Sequence, residues 1–246
     1  MGVDADALAE AIDGELRDVG TRERAEGERR YLKSELEHVG ATVPQIRRIA
    51  KRAAADHPEL SHDELVALVE ALWSRPIHER RMVAVELLSL RADLVTPDDV
   101  DLIERLLRES RTWALVDGLA ADVVGQLLAG EPALATRLEA WASDEDLWLR
   151  RAALLGWLVP LREGAPFGHF AASAEAMLAE REFFIRKAIG WVLREVGKRR
   201  PAEVYDWLAP RTDRASGVTV REAVKYLPAA RREELLAAYR GRRPAR

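Results

Sequence analysis

Apolar residues recur along nearly the whole chain at three- and four-residue spacing, and no window of four to eight residues alternates as a half-buried strand does. The pattern predicts helices near residues 3–18, 21–38, 43–56, 61–74, 77–91, 97–107, 111–129, 131–142, 145–160, 168–180, 183–199, 201–209, 218–226 and 228–239. Ser61-His62-Asp63-Glu64, Thr96-Pro97-Asp98-Asp99 and Ser143-Asp144-Glu145 read as helix starts, each a capping side chain followed by acids that suit the positive end of the helix dipole. Thr42 caps a further start, where Pro44 is tolerated because a first turn does not use its missing N–H. Gly20, Gly40 and Gly130 fall where helices are expected to stop. Connections are short, the longest break running from Arg162 to Gly168, so successive helices are expected to be antiparallel neighbours.

The helices group in pairs of roughly 35–45 residues, the period of HEAT or armadillo-like repeats. Trp73 and Trp113 are 40 residues apart, and Arg151 and Arg194 are 43 apart. The expected fold is therefore all-α, a HEAT-like solenoid whose inner helices line a concave groove, with a plain helical bundle as the alternative. One domain over residues 1–246 is expected, with residues 1–20 as an acidic capping helix and 240–246 as a basic, frayed tail.

One predicted helix departs from simple amphipathicity. At about 100° per residue, Phe183, Lys187, Trp191, Arg194 and Lys198 share a stripe, while Ile185, Ile189, Val192 and Val196 mark a separate apolar face. Gly190 lies beside Trp191 and is expected to leave a hollow next to the indole. Spacing alone leaves two readings open: a functional face, or Trp191 packed on a neighbouring helix with its cations solvated.

Composition narrows the chemistry. Of 246 residues, 48% are hydrophobic, enough for a substantial core, and none is cysteine, so disulfides, cysteine nucleophiles and Cys-ligated zinc are excluded. The histidines His38, His57, His62, His78 and His169 are scattered without HExxH spacing, so no metal and no cofactor are expected. The first residues lack a signal-peptide pattern, and no apolar run is expected to approach the roughly 18 residues of a membrane span. A soluble, cytoplasmic monomer without membrane contact is the expectation, associated with the nucleoid in a bacterial cell. The net charge of −4 opposes nucleic-acid binding, but residues 1–30 carry all of it. Residues 31–246 are neutral overall, which leaves room for local basic surfaces.

Four clusters mix aromatics with cations. Trp113 and Asp117 are i and i+4 on one face, which suits stabilisation of a developing cation and equally suits a buried Trp beside a solvated Asp. Trp148 and Arg151 share a face three residues apart; Arg29-Arg30-Tyr31 offers a stacking ring; the helix over 183–200 is the fourth. Arginine for phosphates, aromatics for bases or sugars and one acid for chemistry together suit nucleic acid.

In order, RYLKS at Arg30–Ser34, TWALVD at Thr112–Asp117, LWLRRAALL at Leu147–Leu155, FFIRKAIGWVLRE at Phe183–Glu195 and REAVKYL at Arg221–Leu227 resemble the DNA alkylation repair family, the AlkD-like DNA glycosylases. The resemblance is collinear from about residue 25 to 228. It implies duplex DNA in the concave groove and excision of bases carrying cationic lesions, such as 3-methyladenine and 7-methylguanine, without base flipping. It also implies Asp117 as the catalytic carboxylate, Trp113 and Trp191 as indoles against the lesioned sugar, and Arg151 as the backbone grip. Tyr31, Phe183, Phe184, Lys187 and Arg194 match groove-facing or supporting positions, and Lys198 joins them from the same stripe. Ala114 stands where the family often has an acid, and Ser34 where it often has Asn. The alternatives are a non-catalytic reader of damaged or branched DNA and a protein-binding scaffold.

Overall fold

The computed structural model describes residues 2–241, and the expected basic tail from Arg242 onward lies outside them. No strand occurs among the described residues, and the protein is all-α, as the helical period predicts. Contacts gather into two compact units, Met1–Val123 and Val124–Arg246.

The first unit contains α1 (Ala5–Val19), α2 (Arg22–Leu32), α3 (Val43–Asp56), α4 (His62–Trp73), α5 (His78–Leu90), α6 (Val100–Ser110) and α7 (Trp113–Gly118). Full capping boxes open α3, through Thr42 and Gln45, and α4, through Ser61 and Glu64. Leu65, Leu68, Val69 and Leu72 of α4 and Val83, Ala84, Leu87 and Leu88 of α5 form the centre of the core. The acidic α1 is built into this core through Ala9, Ile12 and Leu16. Arg80, 1% exposed, donates to the carbonyls of Ala71 (2.8 Å), Leu72 (3.3 Å) and Ala9 (3.3 Å), so it ties the end of α4 to α1. Glu10 takes Arg75 (2.9 Å) and Arg80 (3.2 Å), so part of the N-terminal acidity is neutralised locally.

Two expectations in this unit are corrected. The helix expected over 21–38 ends at Leu32, because Lys33 turns into the left-handed region (φ 50°) and donates its N–H to the Arg29 and Arg30 carbonyls. Residues 34–41 then run extended, with a single bridge between Glu37 and Ile77. Gly40 does not end a helix. Its φ of 85° and the 2.1 Å that a Cβ there would leave to the Thr21 carbonyl oxygen make it the point where this segment crosses the start of α2. The second correction concerns the helix expected over 111–129, whose α7 passes into a π-helical turn over Leu119–Val124. Together with the helical turn Gly125–Gly130 it makes an apolar run of 18 residues, Trp113–Gly130, of mean hydropathy 1.2, longer than the sequence pattern predicts. Leu115, Val116, Leu119, Ala120, Val123 and Leu128 in that run are core residues, as in a buried helix.

The second unit contains α8 (Gly125–Gly130), α9 (Ala135–Ala142), α10 (Leu147–Leu155), α11 (Leu158–Arg162), α12 (Gly168–Ala176), α13 (Phe183–Gly197), α14 (Pro201–Leu208), α15 (Gly217–Ala223) and α16 (Ala229–Gly241). The start expected at Ser143 falls at Asp146, whose carboxylate caps Trp148 N at 2.7 Å. Helix α13 is the axis of the unit. Ile185, Ala188, Ile189, Val192, Leu193 and Val196 are buried on it, as the stripe pattern predicts.

Candidate nucleic-acid site

In the first unit, Trp113 opens α7. Thr112 before it is extended, and Arg111 before that is left-handed at φ 48°. That sharp turn starts the helix with the indole half-buried at its first position, and Asp117 is half-buried one turn on, at the same face spacing. Tyr31, 72% exposed at the end of α2, meets the Trp113 ring edge-on with centroids 6.0 Å apart and planes at 87°. This is a favoured aromatic geometry. The RYLKS and TWALVD segments, eighty residues apart in sequence, therefore form one aromatic patch beside Asp117. Ser34 is buried, and its hydroxyl accepts the Leu36 amide at 3.1 Å, which closes the turn after Tyr31. The π-turn begins two residues beyond Asp117, and such turns recur at functional sites.

In the second unit the aromatics of α10 and α13 stack on one another. Trp148 and Phe184 lie 5.2 Å apart, and Phe183, 56% exposed, meets Phe184 edge-on at 5.6 Å. Arg151 is 2% exposed, with its guanidinium donating to the Phe184 carbonyl and lying 5.8 Å from that ring. The resemblance gives Arg151 a grip on DNA backbone. Here it is a buried side chain that already fixes Phe184, so any phosphate contact comes from an engaged guanidinium. Trp191 is half-buried on α13.

The cations on α13 are organised by an acid outside the predicted set. Glu222 on α15 accepts Lys187 at 2.9 Å, Arg194 at 2.5 Å and Lys225 at 2.9 Å. Glu195 takes Lys198 at 2.6 Å, and the Lys198 ammonium lies 5.1 Å from the Tyr226 ring centroid. Of the two readings that spacing leaves open, the cations are neither simply solvated nor unpaired: they form a network with Glu222 and Glu195. Burial pushes the Glu222 carboxyl up, but the hydrogen bonds from Lys225 and Lys187 and the Arg194 charge outweigh it and hold it at about 2. A carboxyl held below its unfolded value stabilises the fold above that value and loses the contribution as pH falls through its folded value. The stability difference between wild type and Glu222→Gln is accordingly expected to be full near neutral pH and to vanish as pH falls to about 2, read as urea midpoints across that range.

Gly190 corrects another expectation. There is no hollow at this position, since a Cβ would stand 2.8 Å from the Glu222 Cβ and 3.1 Å from the Thr219 backbone. The missing side chain lets α15 lie directly on α13. Thr219 donates its hydroxyl to the Arg186 carbonyl at 3.0 Å across the same crossing. Glu222 stood inside REAVKYL in the sequence, but nothing in its local pattern names three partners on two segments.

All-helical, with exposed rings, ordered cations and a half-buried aspartate, the chain carries the equipment of a nucleic-acid protein. It belongs to the DNA alkylation repair enzyme family, whose model matches residues 12–227. A solved structure described as a predicted DNA alkylation repair enzyme from Enterococcus faecalis is similar at 23% identity, over 85% of this chain and 97% of that one, with a TM-score of 0.77. That of smu.31 from Streptococcus mutans UA159 is similar at 14% identity, over 90% of this chain and all of that one, with a TM-score of 0.54. No curated protein matches. The chain's role lies in the repair of alkylated DNA.

Proposed function

We propose that the protein is a monofunctional DNA glycosylase that hydrolyses the N-glycosidic bond of cationic alkylated purines, 3-methyladenine and 7-methylguanine, in duplex DNA without flipping the base. The observation that carries this reading is the half-buried Trp113–Asp117 pair on α7, edged by Tyr31, in a member of the alkylation repair family. An alkylated ring nitrogen makes the purine a cation and a good leaving group. As the bond to C1′ breaks, its electron pair leaves with the base and positive charge moves onto the sugar. Catalysis requires that this sugar cation be stabilised more than the ground state. Asp117 supplies the opposite charge and orients a water, whose oxygen bonds to C1′ while its proton is released. Trp113 presents its indole face to the cation. Arg151, Lys187, Arg194, Lys198, Tyr31, Phe183 and Phe184 serve DNA contact and its support.

The test is release of free base from duplex DNA containing 7-methylguanine. Release by the wild-type protein supports the glycosylase, binding without release points to a non-catalytic reader, and neither leaves a scaffold. A second measurement addresses the cation network. Glu222→Gln frees charge on Lys187, Arg194 and Lys225, so it is expected to steepen the salt dependence of duplex binding by about one phosphate contact, a slope change near 0.9. An unchanged slope would remove these side chains from the DNA surface.

A further inference from the structure

The sequence reading expected no metal, yet the fold brings three distant ligands together. Glu28 on α2, His38 in the extended segment before α3 and Glu79 on α5 each place a ligand atom within 4.8 Å of the others. Both ring nitrogens of His38 and the Oε2 of Glu28 are buried without a hydrogen-bond partner. Such orphaned groups are rare in native folds and call for an explanation. Glu79 is 0% exposed, and the amides of Val39 (3.0 Å) and Gly40 (2.7 Å) fix its carboxylate. Arg24 holds the other oxygen of Glu28, Oε1, at 2.7 Å. His78, itself buried, stacks on His38 with centroids 4.6 Å apart and planes at 16°, fixing the ring.

We propose that Glu28, His38 and Glu79 hold one divalent transition-metal cation, with zinc the best match, in a structural site that anchors α2. One imidazole and two carboxylates with no sulfur suit zinc and its neighbours among the borderline ions. Tetrahedral metal–ligand bonds of about 2.0–2.2 Å set ligand atoms roughly 3.3–3.6 Å apart, so a contraction of the cluster by up to about 1.5 Å completes the site. Glu28 is the ligand free to make it, because α2 has no buried residue. Two clefts border the cluster, one of about 430 Å³ lined by His38, Arg29 and Leu36, and another of about 510 Å³ by Glu28, Arg24 and Tyr31. An 11-residue helix with no buried residue is marginal by itself. A cation joining α2 to α5 adds an attachment beside the Tyr31–Trp113 contact, and Tyr31 sits three residues beyond Glu28.

The experiment titrates the EDTA-stripped full chain with zinc chloride by calorimetry and with cobalt(II) by visible absorption. One zinc per chain is expected, with cobalt bands that zinc displaces. His38→Gln and Glu28→Gln are each expected to weaken zinc at least tenfold, with far-UV circular dichroism unchanged. Glu28→Gln lies on the helix surface and keeps the test sound if His38→Gln perturbs folding. Absence of saturable one-to-one binding, or equal zinc affinity in the wild type and a folded variant, overturns the proposal.

Discussion

Asp117→Asn is expected to slow release of 7-methylguanine from duplex DNA by about a hundredfold or more. The substitution keeps the size and hydrogen-bonding reach of the side chain and removes only its charge, so the comparison isolates the electrostatic contribution. Removing one preorganised electrostatic partner from a developing charge commonly costs about 2.7–4 kcal/mol, or about 10²–10³ in rate. The indoles contribute less. A cation–π contact is worth about 0.5–2 kcal/mol, so Trp113→Leu is expected to cost roughly 3- to 30-fold. The order of the two effects is itself informative: a larger loss at Trp113 would mean that packing of the aromatic patch outweighs charge. Full activity in the Asp117→Asn protein, with circular dichroism matching the wild type, would sink the catalytic assignment.

Gly190→Val is expected to lower the melting temperature by roughly 4–12 °C and to loosen the network around Glu222. Replacing a helical glycine gains at most about 1 kcal/mol in propensity, and less for a β-branched residue. Overpacking a tight crossing costs about 1–3 kcal/mol for modest insertions and more for branched ones. Here the obstacle includes the Thr219 backbone at 3.1 Å, which cannot rotate aside as a flexible side chain would. Overpacking therefore wins, and at about 2–4 °C per kcal/mol for a chain of this size the loss is measurable by calorimetry. Gly190→Ala is expected to fall between the two. A Val variant melting with the wild type would show that α15 does not bear on α13 as described.

What could be read from the sequence was local. Periodicity and caps gave the existence of most helices, because Thr42 with Gln45 and Ser61 with Glu64 complete their hydrogen bonds within one turn. The common face of Trp113 and Asp117 followed from helix geometry alone. What escaped depended on partners far along the chain. The left-handed turn at Lys33 broke a predicted helix because the segment after it is held by Glu79, forty residues away. The pairing of the α13 cations was not legible because Glu222 lies on another helix. The cluster of Glu28, His38 and Glu79 shares no spacing that a motif would capture. The π-turn after Asp117 left no composition signal, since Leu, Ala and Val suit α and π geometry alike.

The shared carboxylate at Glu222 has an entropic consequence. Long flexible lysine and arginine side chains lose about 0.5–1.5 kcal/mol each when a partner immobilises them. Lys187, Arg194 and Lys225 are already tethered to one acid before any ligand arrives. A polyanion that draws one of them away leaves Glu222 with two donors still in place, so the ordering is prepaid and the vacated acid is never stranded.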